Sequence, residues 1–324
     1  MQTILSKDKS VIWVWLGFAI LTLFPMYSLV KAMINDFSIL DFTIIMIIIV
    51  LFVYGSIKHG KSLLSKEYLK PDFLDFFFTV ISVVITYIIS KELNISVVIS
   101  SAIIGLLGFI FLRKYQMMIY CGSFAGMVSS QLFGYSEVLV LALVCGLVYL
   151  LTKNVFNGFG GKLGSIAFVS SLVKANVFNI SPLIASGGYN YLVLVLVGLI
   201  GVLLTFYLVN NKNISSVLAS AGPSLIISVF LIYILRQYSL YAFVYFAASF
   251  LGMSSKEVLK NYFQVVLGAL MLGLIYYLLH HCFNGYGGKL GLMAFISSVS
   301  IFGLFSLIEQ TKSIFVKKYL KQEN

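Results

Sequence analysis

The sequence predicts an all-α polytopic membrane protein, built from two N-terminal helices and a 5+5 inverted structural repeat. Three observations predict it. Apolar residues make up 60% of the 324 and charged residues 10%, far more apolar surface than a soluble domain of this size needs. Long apolar stretches recur from Val11 to Leu307 with short polar loops between them. Five phrases return in the same order roughly 120 residues later: "NISVVISSA" (94–102) as "NISSVLASA" (213–221), "LRKY" as "LRQY", "SFAGM" as "SFLGM", "EVL" as "EVL", and "FNGFGGKLG" as "FNGYGGKLG". The last pair, Phe156–Leu172 and Phe283–Val299, agrees at 12 of 17 positions. Polar and glycine positions carry the match, which a shared apolar bias does not produce.

The spans follow in order. Two come first, near 11–30 and 38–57. The first half then offers 73–90, 95–112, a short segment 115–133, 137–152 and a short segment 164–182. The second offers 189–210, 214–235, a short segment 239–254, 258–281 and a short segment 290–308. The short segments are interrupted by Gly and Ser, so each is either a full crossing or a re-entrant half-helix. Treating the four alike puts an odd number of crossings between the two FNG phrases, which makes the repeat inverted. The resulting division is 1–71 for the leading helices and a cytoplasmic loop, 72–188 and 189–310 for the repeats, and 311–324 for a basic cytoplasmic tail.

Basic residues give an independent orientation. With the N-terminus inside and every segment crossing, Lys31, Lys91, Arg236 and Lys289 lie outside, Lys174 falls within a span, and 17 of the 22 basic residues lie inside. With the four short segments re-entrant, eight lie outside and 14 inside. Both place the two termini in the cytoplasm, and the low-complexity apolar runs suit a bacterial inner membrane. The net charge of +11 then serves orientation and contact with anionic headgroups, not nucleic acid. The leading helices have no counterpart in the repeat. They pack outside it or form a contact between copies, so a homo-oligomer is allowed, and Pro25 is a potential kink in the first.

Transport chemistry has a specific address in this pattern. Inverted repeats typically set a solute site between halves, where broken helices aim their ends at the solute. Asn157, Gly160, Gly161 and Lys162 in one phrase match Asn284, Gly287, Gly288 and Lys289 in the other. Paired glycines permit an unwound backbone, the helix beginning beyond them offers free N–H groups, and the lysine adds a cation. The competing reading is that the glycines serve helix packing and the lysines snorkel to headgroups. Ser123 and Ser249 in SF[AL]GM, and Ser170 and Ser297 on the last segment of each half, offer hydroxyls to a path or pack helices closely. Arg113 and Arg236 are repeated at span ends, as entrance cations or as lipid contacts.

Other chemistries have little support. All 11 acidic residues lie in tails, loops or span ends, against a carboxylate-coupled cation antiporter. Glu137 and Glu257 both read as acidic helix starts. Cys121, Cys145 and Cys282 fall in apolar segments without disulfide or metal spacing, and adjacent His280 and His281 diverge around a helix. No catalytic residue, metal site or cofactor is expected, and the chain does not read as an enzyme. The expected partners are the bilayer and a small anionic or polar solute, with no nucleic acid. The expected function is a transporter or channel moving a small anionic or polar solute between the repeats. The alternative is a non-transport membrane scaffold or lipid-handling assembly subunit, which would have a dry, well-packed interface there.

Overall fold

The computed structural model describes residues 2–35, 38–63, 70, 72–184, 190–236 and 239–320. They form twelve α-helices with no β-strand among them: α1 (Gln2–Asn35), α2 (Ile39–Leu63), α3 (Phe73–Glu92), α4 (Val97–Phe111), α5 (Gln116–Ala125), α6 (Tyr135–Thr152), α7 (Lys162–Val177), α8 (Tyr191–Asn210), α9 (Ser216–Val229), α10 (Ser239–Gly252), α11 (Tyr262–Leu279) and α12 (Lys289–Leu320). Eight of these, α1, α2, α3, α6, α8, α9, α11 and α12, are long and apolar enough to cross a membrane, α9 with the turn of π-helix that extends it to Ile234. Outward faces are apolar, as a lipid surface requires: Ile110, Phe111, Leu147, Ile200, Ile226 and Phe263 are all exposed. The chain is an all-α membrane protein.

α5 and α10 are too short to span alone, and the chain completes each passage without helix. Beside α3, the ring of Tyr115 stacks on Phe78 near one end (4.4 Å). Farther along, Tyr87 Oη donates to the Phe133 carbonyl, and Tyr135 Oη reaches Glu92 at the other end. Segment 115–135 therefore runs the length of α3, first as helix and then as open chain. Segment 241–262 does the same beside α8. Tyr241 Oη accepts from Asn190 N at one end (3.1 Å), Asn210 Nδ2 donates to the Ser254 carbonyl (3.0 Å), and Tyr262 Oη donates to Asn211 Oδ1 (3.2 Å). The first part of each non-helical stretch is covered by protein, with Gly126, Val128 and Ser254 buried, and such chain is tolerated at membrane depth only there; exposed residues follow, Ser130 and Gln131 in one stretch and Lys256 and Glu257 in the other.

The centre is a backbone contact. Gly164 on α7 faces Gly291 on α12 so closely that a Cβ on either would lie 2.4 Å from the other's Cα. Gly161 lies against the Phe295 nitrogen and Gly288 against the Phe168 nitrogen, so the two helices overlap antiparallel near their N-termini and run away from one another. α4 packs on α9, α2 packs along α12 and α1 packs against α6.

Four expectations need correction. The segment at 290–308 is the start of a 32-residue helix, so 311–320 is helical and not a loose tail. Nothing stops that helix after Gly303, because Leu307–Leu320 lacks Gly and Pro, and Lys260 pairs with Glu309 on its flank (2.5 Å). The first helix extends to Gln2–Asn35 and continues past Pro25. The segment at 115–133 is helical only to Ala125. Glu257 lies in a turn five residues before α11, whereas Glu137 sits in the first turn of α6, so the two "EVL" phrases are not structural equivalents. The proposed boundaries at 71 and 188–189, and the tail 321–324, lie outside the described residues.

Replacing Gly164 with Ala forces α7 and α12 apart and should destabilise the protein by about 1–3 kcal/mol. Thermal unfolding of the detergent-purified protein should show the lower midpoint. Gly222→Ala is the control, since a Cβ there meets only Leu218, at 3.8 Å, and its midpoint should hold or rise.

Candidate functional site

The two FNG phrases adopt one backbone form. Phe156 and Phe283 have φ of 53° and 58°, Gly158 and Gly285 have 86° and 85°, and Gly161 and Gly288 have 82° and 79°. A left-handed phenylalanine is unfavourable and persists only where its surroundings hold it. Phe156 is held by its N–H bond to His59 Nε2 (3.0 Å) and by stacking on Phe18 and His59. Phe283 is packed edge-on against Phe168.

Each lysine is then fixed by its own phrase. Lys162 Nζ donates to Asn157 Oδ1 (2.5 Å) and to the Lys153 carbonyl (3.1 Å). Lys289 Nζ donates to Asn284 Oδ1 (2.6 Å) and to the His280 carbonyl (3.2 Å). An ammonium group has three donors, so these bonds leave each lysine one N–H. Both side chains turn into protein, not out to a headgroup layer. Lys162 is 9% exposed.

Each phrase forms one wall of a cavity. The cavity at the first phrase, about 460 Å³, is lined by Asn157, Gly161, Lys162, Gly164, Tyr149 and Ser255, among others. The cavity at the second phrase, about 400 Å³, is lined by Asn284, Gly288, Lys289, Gly291, Tyr276 and Ser129, among others. Apart from Ser129 and Ser255, which lie 126 apart, these residues correspond one to one at a spacing of 127 in the sequence. Phe124 and Phe250 line both cavities. Their ring centroids are 4.4 Å apart, so the cavities lie back to back across one aromatic pair.

A second lysine belongs to each cavity. Lys153 lines the first and is paired with Asp75 at 2.5 Å. Lys91 lines the second, its ammonium 4.0 Å above the Tyr135 ring. No carboxylate lines either cavity among the described residues. Asp75 offsets the charge of Lys153; in a low-dielectric interior, a cation without a facing acid, as at Lys162 and Lys289, raises the local concentration of anions.

The remaining sequence-selected residues lie elsewhere. Gly160 and Gly287 sit behind the cavities, against the carbonyls of Phe250 and Leu251 and of Phe124 and Ala125. Ser123, Ser249, Ser170 and Ser297 are fully buried between helices. Ser123 bonds Ser101 (2.8 Å), Ser249 bonds Ser220 (2.7 Å), Ser170 bonds the Ile166 carbonyl and Ser297 the Gly268 carbonyl. The hydroxyls of Ser123, Ser249 and Ser297 join neighbouring helices, whereas that of Ser170 returns to its own helix α7. Arg113 and Arg236 are exposed and line neither cavity, with Arg113 resting on the Phe109 ring.

The phenylalanines do have a signal in the sequence that the site residues chosen there leave out: Phe124 and Phe250 are the repeated second residue of SF[AL]GM. Lys91 and Lys153 carry no repeat signal, since Asn210 and His280 stand at the matching positions. Comparison with family models, with curated proteins and with solved structures finds no match.

Asn157→Ala and Asn284→Ala each strip a part-buried ammonium of its charge-assisted bond. Each should destabilise the protein by about 1.5–3 kcal/mol, read as a lower unfolding midpoint in detergent. Arg113→Ala should leave that midpoint unchanged.

Proposed function

We propose that this protein is a membrane transporter or channel for a small anionic or polar solute, with its path between two inverted repeats. One observation carries the reading: two matched cavities meet at Phe124 and Phe250, each with the lysine of its FNG phrase in its wall and no carboxylate in its lining among the described residues. Ionisable residues held inside a membrane protein and turned toward a cavity mark solute pathways by default, and lysine-lined passages select anions.

The matched backbone of the two phrases, their antiparallel contact at Gly164 and Gly291, and the broken segments beside α3 and α8 support an inverted relation between 72–188 and 189–310. In that arrangement the first cavity opens to the cytoplasm and the second to the opposite side, with both termini cytoplasmic. A bacterial inner membrane is the setting that best suits the composition. A scaffold role has no use for paired, lysine-lined cavities at corresponding positions. The well-packed Gly164–Gly291 centre is the feature it would share.

The reading is tested with purified protein in liposomes, by following uptake of chloride, nitrate and formate, with urea as a neutral comparison. The wild type should pass at least one of these. Lys162→Ala combined with Lys289→Ala should cut anion flux about tenfold or more. A folded double variant with every detected flux intact would remove the lysines from the path.

A further inference from the structure

We infer that Phe124 and Phe250 form the barrier of this path, and that each ring is held by the glycine phrase of the opposite half. The inference rests on the transport reading above and goes further by naming the residues that set passage and size selection.

The geometry begins with the rings. Both belong to the walls of both cavities, yet each is only 2% exposed. They are tilted 45° to one another. Phe246 packs against both, at 5.9 Å from Phe124 and 4.5 Å from Phe250, and Tyr120 lies 4.3 Å from Phe124 and 6.1 Å from Phe250. A solute moving from Lys162 to Lys289 meets this apolar cluster. The contact of Gly164 with Gly291 closes the neighbouring side at backbone distance. Water and small ions do not wet so narrow an apolar neck, and hydrophobic constrictions of this kind gate by dewetting.

The rings sit where they can be moved. Phe124 is one residue from the end of α5 and Phe250 is two from the end of α10, each just before its helix gives way to open chain. The first phrase grips the end of α10: Gly160 lies against the Phe250 and Leu251 carbonyls, Gly160 N donates to Ser254 Oγ (3.1 Å), and Ser255 N donates to the Gly158 carbonyl (2.9 Å). The second phrase grips the end of α5: Gly287 lies against the Phe124 and Ala125 carbonyls, and Ser129 N donates to the Gly285 carbonyl (2.9 Å). The backbone that carries Lys162 therefore touches the backbone that carries Phe250, and the Lys289 backbone touches that of Phe124. A solute that displaces either lysine from its asparagine acts on a phrase joined directly to a barrier ring. Tyr120 and Phe246 brace the pair, and the Tyr120 hydroxyl is tied to Ser220 (2.9 Å), so ring motion at the helix ends is the available way to open the neck.

The experiment uses the full-length protein in liposomes, with chloride and nitrate as small anions and gluconate as a large one. Phe124→Ala with Phe250→Ala should raise small-anion flux about tenfold or more and admit gluconate. Phe124→Leu with Phe250→Leu, closer in volume, is the second variant for the case in which the alanine form does not fold. It should shift the gluconate-to-chloride ratio in the same direction by a smaller factor. Folded variants with wild-type flux and size selection would overturn the barrier assignment, as would a folded alanine form in which nothing passes. Failure of the two readings is distinguishable. Flux that responds to the phenylalanines and ignores Lys162→Ala with Lys289→Ala keeps the barrier and discards the lysine sites. The reverse pattern keeps the sites and discards the barrier.

Discussion

The approach of Gly164 to Gly291 is the constraint on which the arrangement depends. Lipid supplies no hydrophobic force between helices, so close packing and internal bonding must hold them. With no side chain on either residue, α7 and α12 meet backbone to backbone. Residues just before each contact are thereby brought to the middle of the protein, and those residues are the FNG phrases. Lys162 and Lys289 are within two residues of the contact, so one packing event sets the position of both cations.

The phrases then do two jobs with one backbone. Left-handed residues at Phe156, Gly158 and Gly161, and at Phe283, Gly285 and Gly288, fold the chain into a turn whose asparagine returns to the lysine. The outer surface of the same turn receives the end of a broken helix from the other half. Neither half completes its own cavity: α10 supplies Phe250 to the cavity at the first phrase, and α5 supplies Phe124 to the cavity at the second. Through this exchange each copy of the glycine-rich phrase fits both its own lysine and a foreign helix end.

Much of this was legible in sequence. Apolar runs located the long helices closely, with α3, α6 and α8 within about two residues of the expected bounds, within the usual uncertainty of helix ends. The FNG repeat pointed to Asn157, Lys162, Asn284 and Lys289, which line the cavities. Serines are ambiguous in sequence because a hydroxyl near glycine reads alike whether it faces a cavity or bonds a neighbouring helix, as Ser123 and Ser249 do. "EVL" misled because three common residues recurred by chance near the right spacing. Phe124 and Phe250 escaped notice because an aromatic residue in so apolar a chain attracts no attention until its neighbours are known. Lys91 and Lys153 were invisible to a repeat argument, being cations supplied by one half only.

The central claim is that equivalent cavities open on opposite sides of the membrane. Ser129 and Ser216 line the two cavities and are partly exposed, while the native cysteines Cys121, Cys145 and Cys282 are buried. The direct measurement is labelling of Ser129→Cys and Ser216→Cys by a membrane-impermeant thiol reagent, in a background lacking the native cysteines, in sealed vesicles of each orientation. The account predicts that Cys at 129 reacts only from the side opposite the termini and Cys at 216 only from the side of the termini. Labelling of both positions from the same side would contradict it.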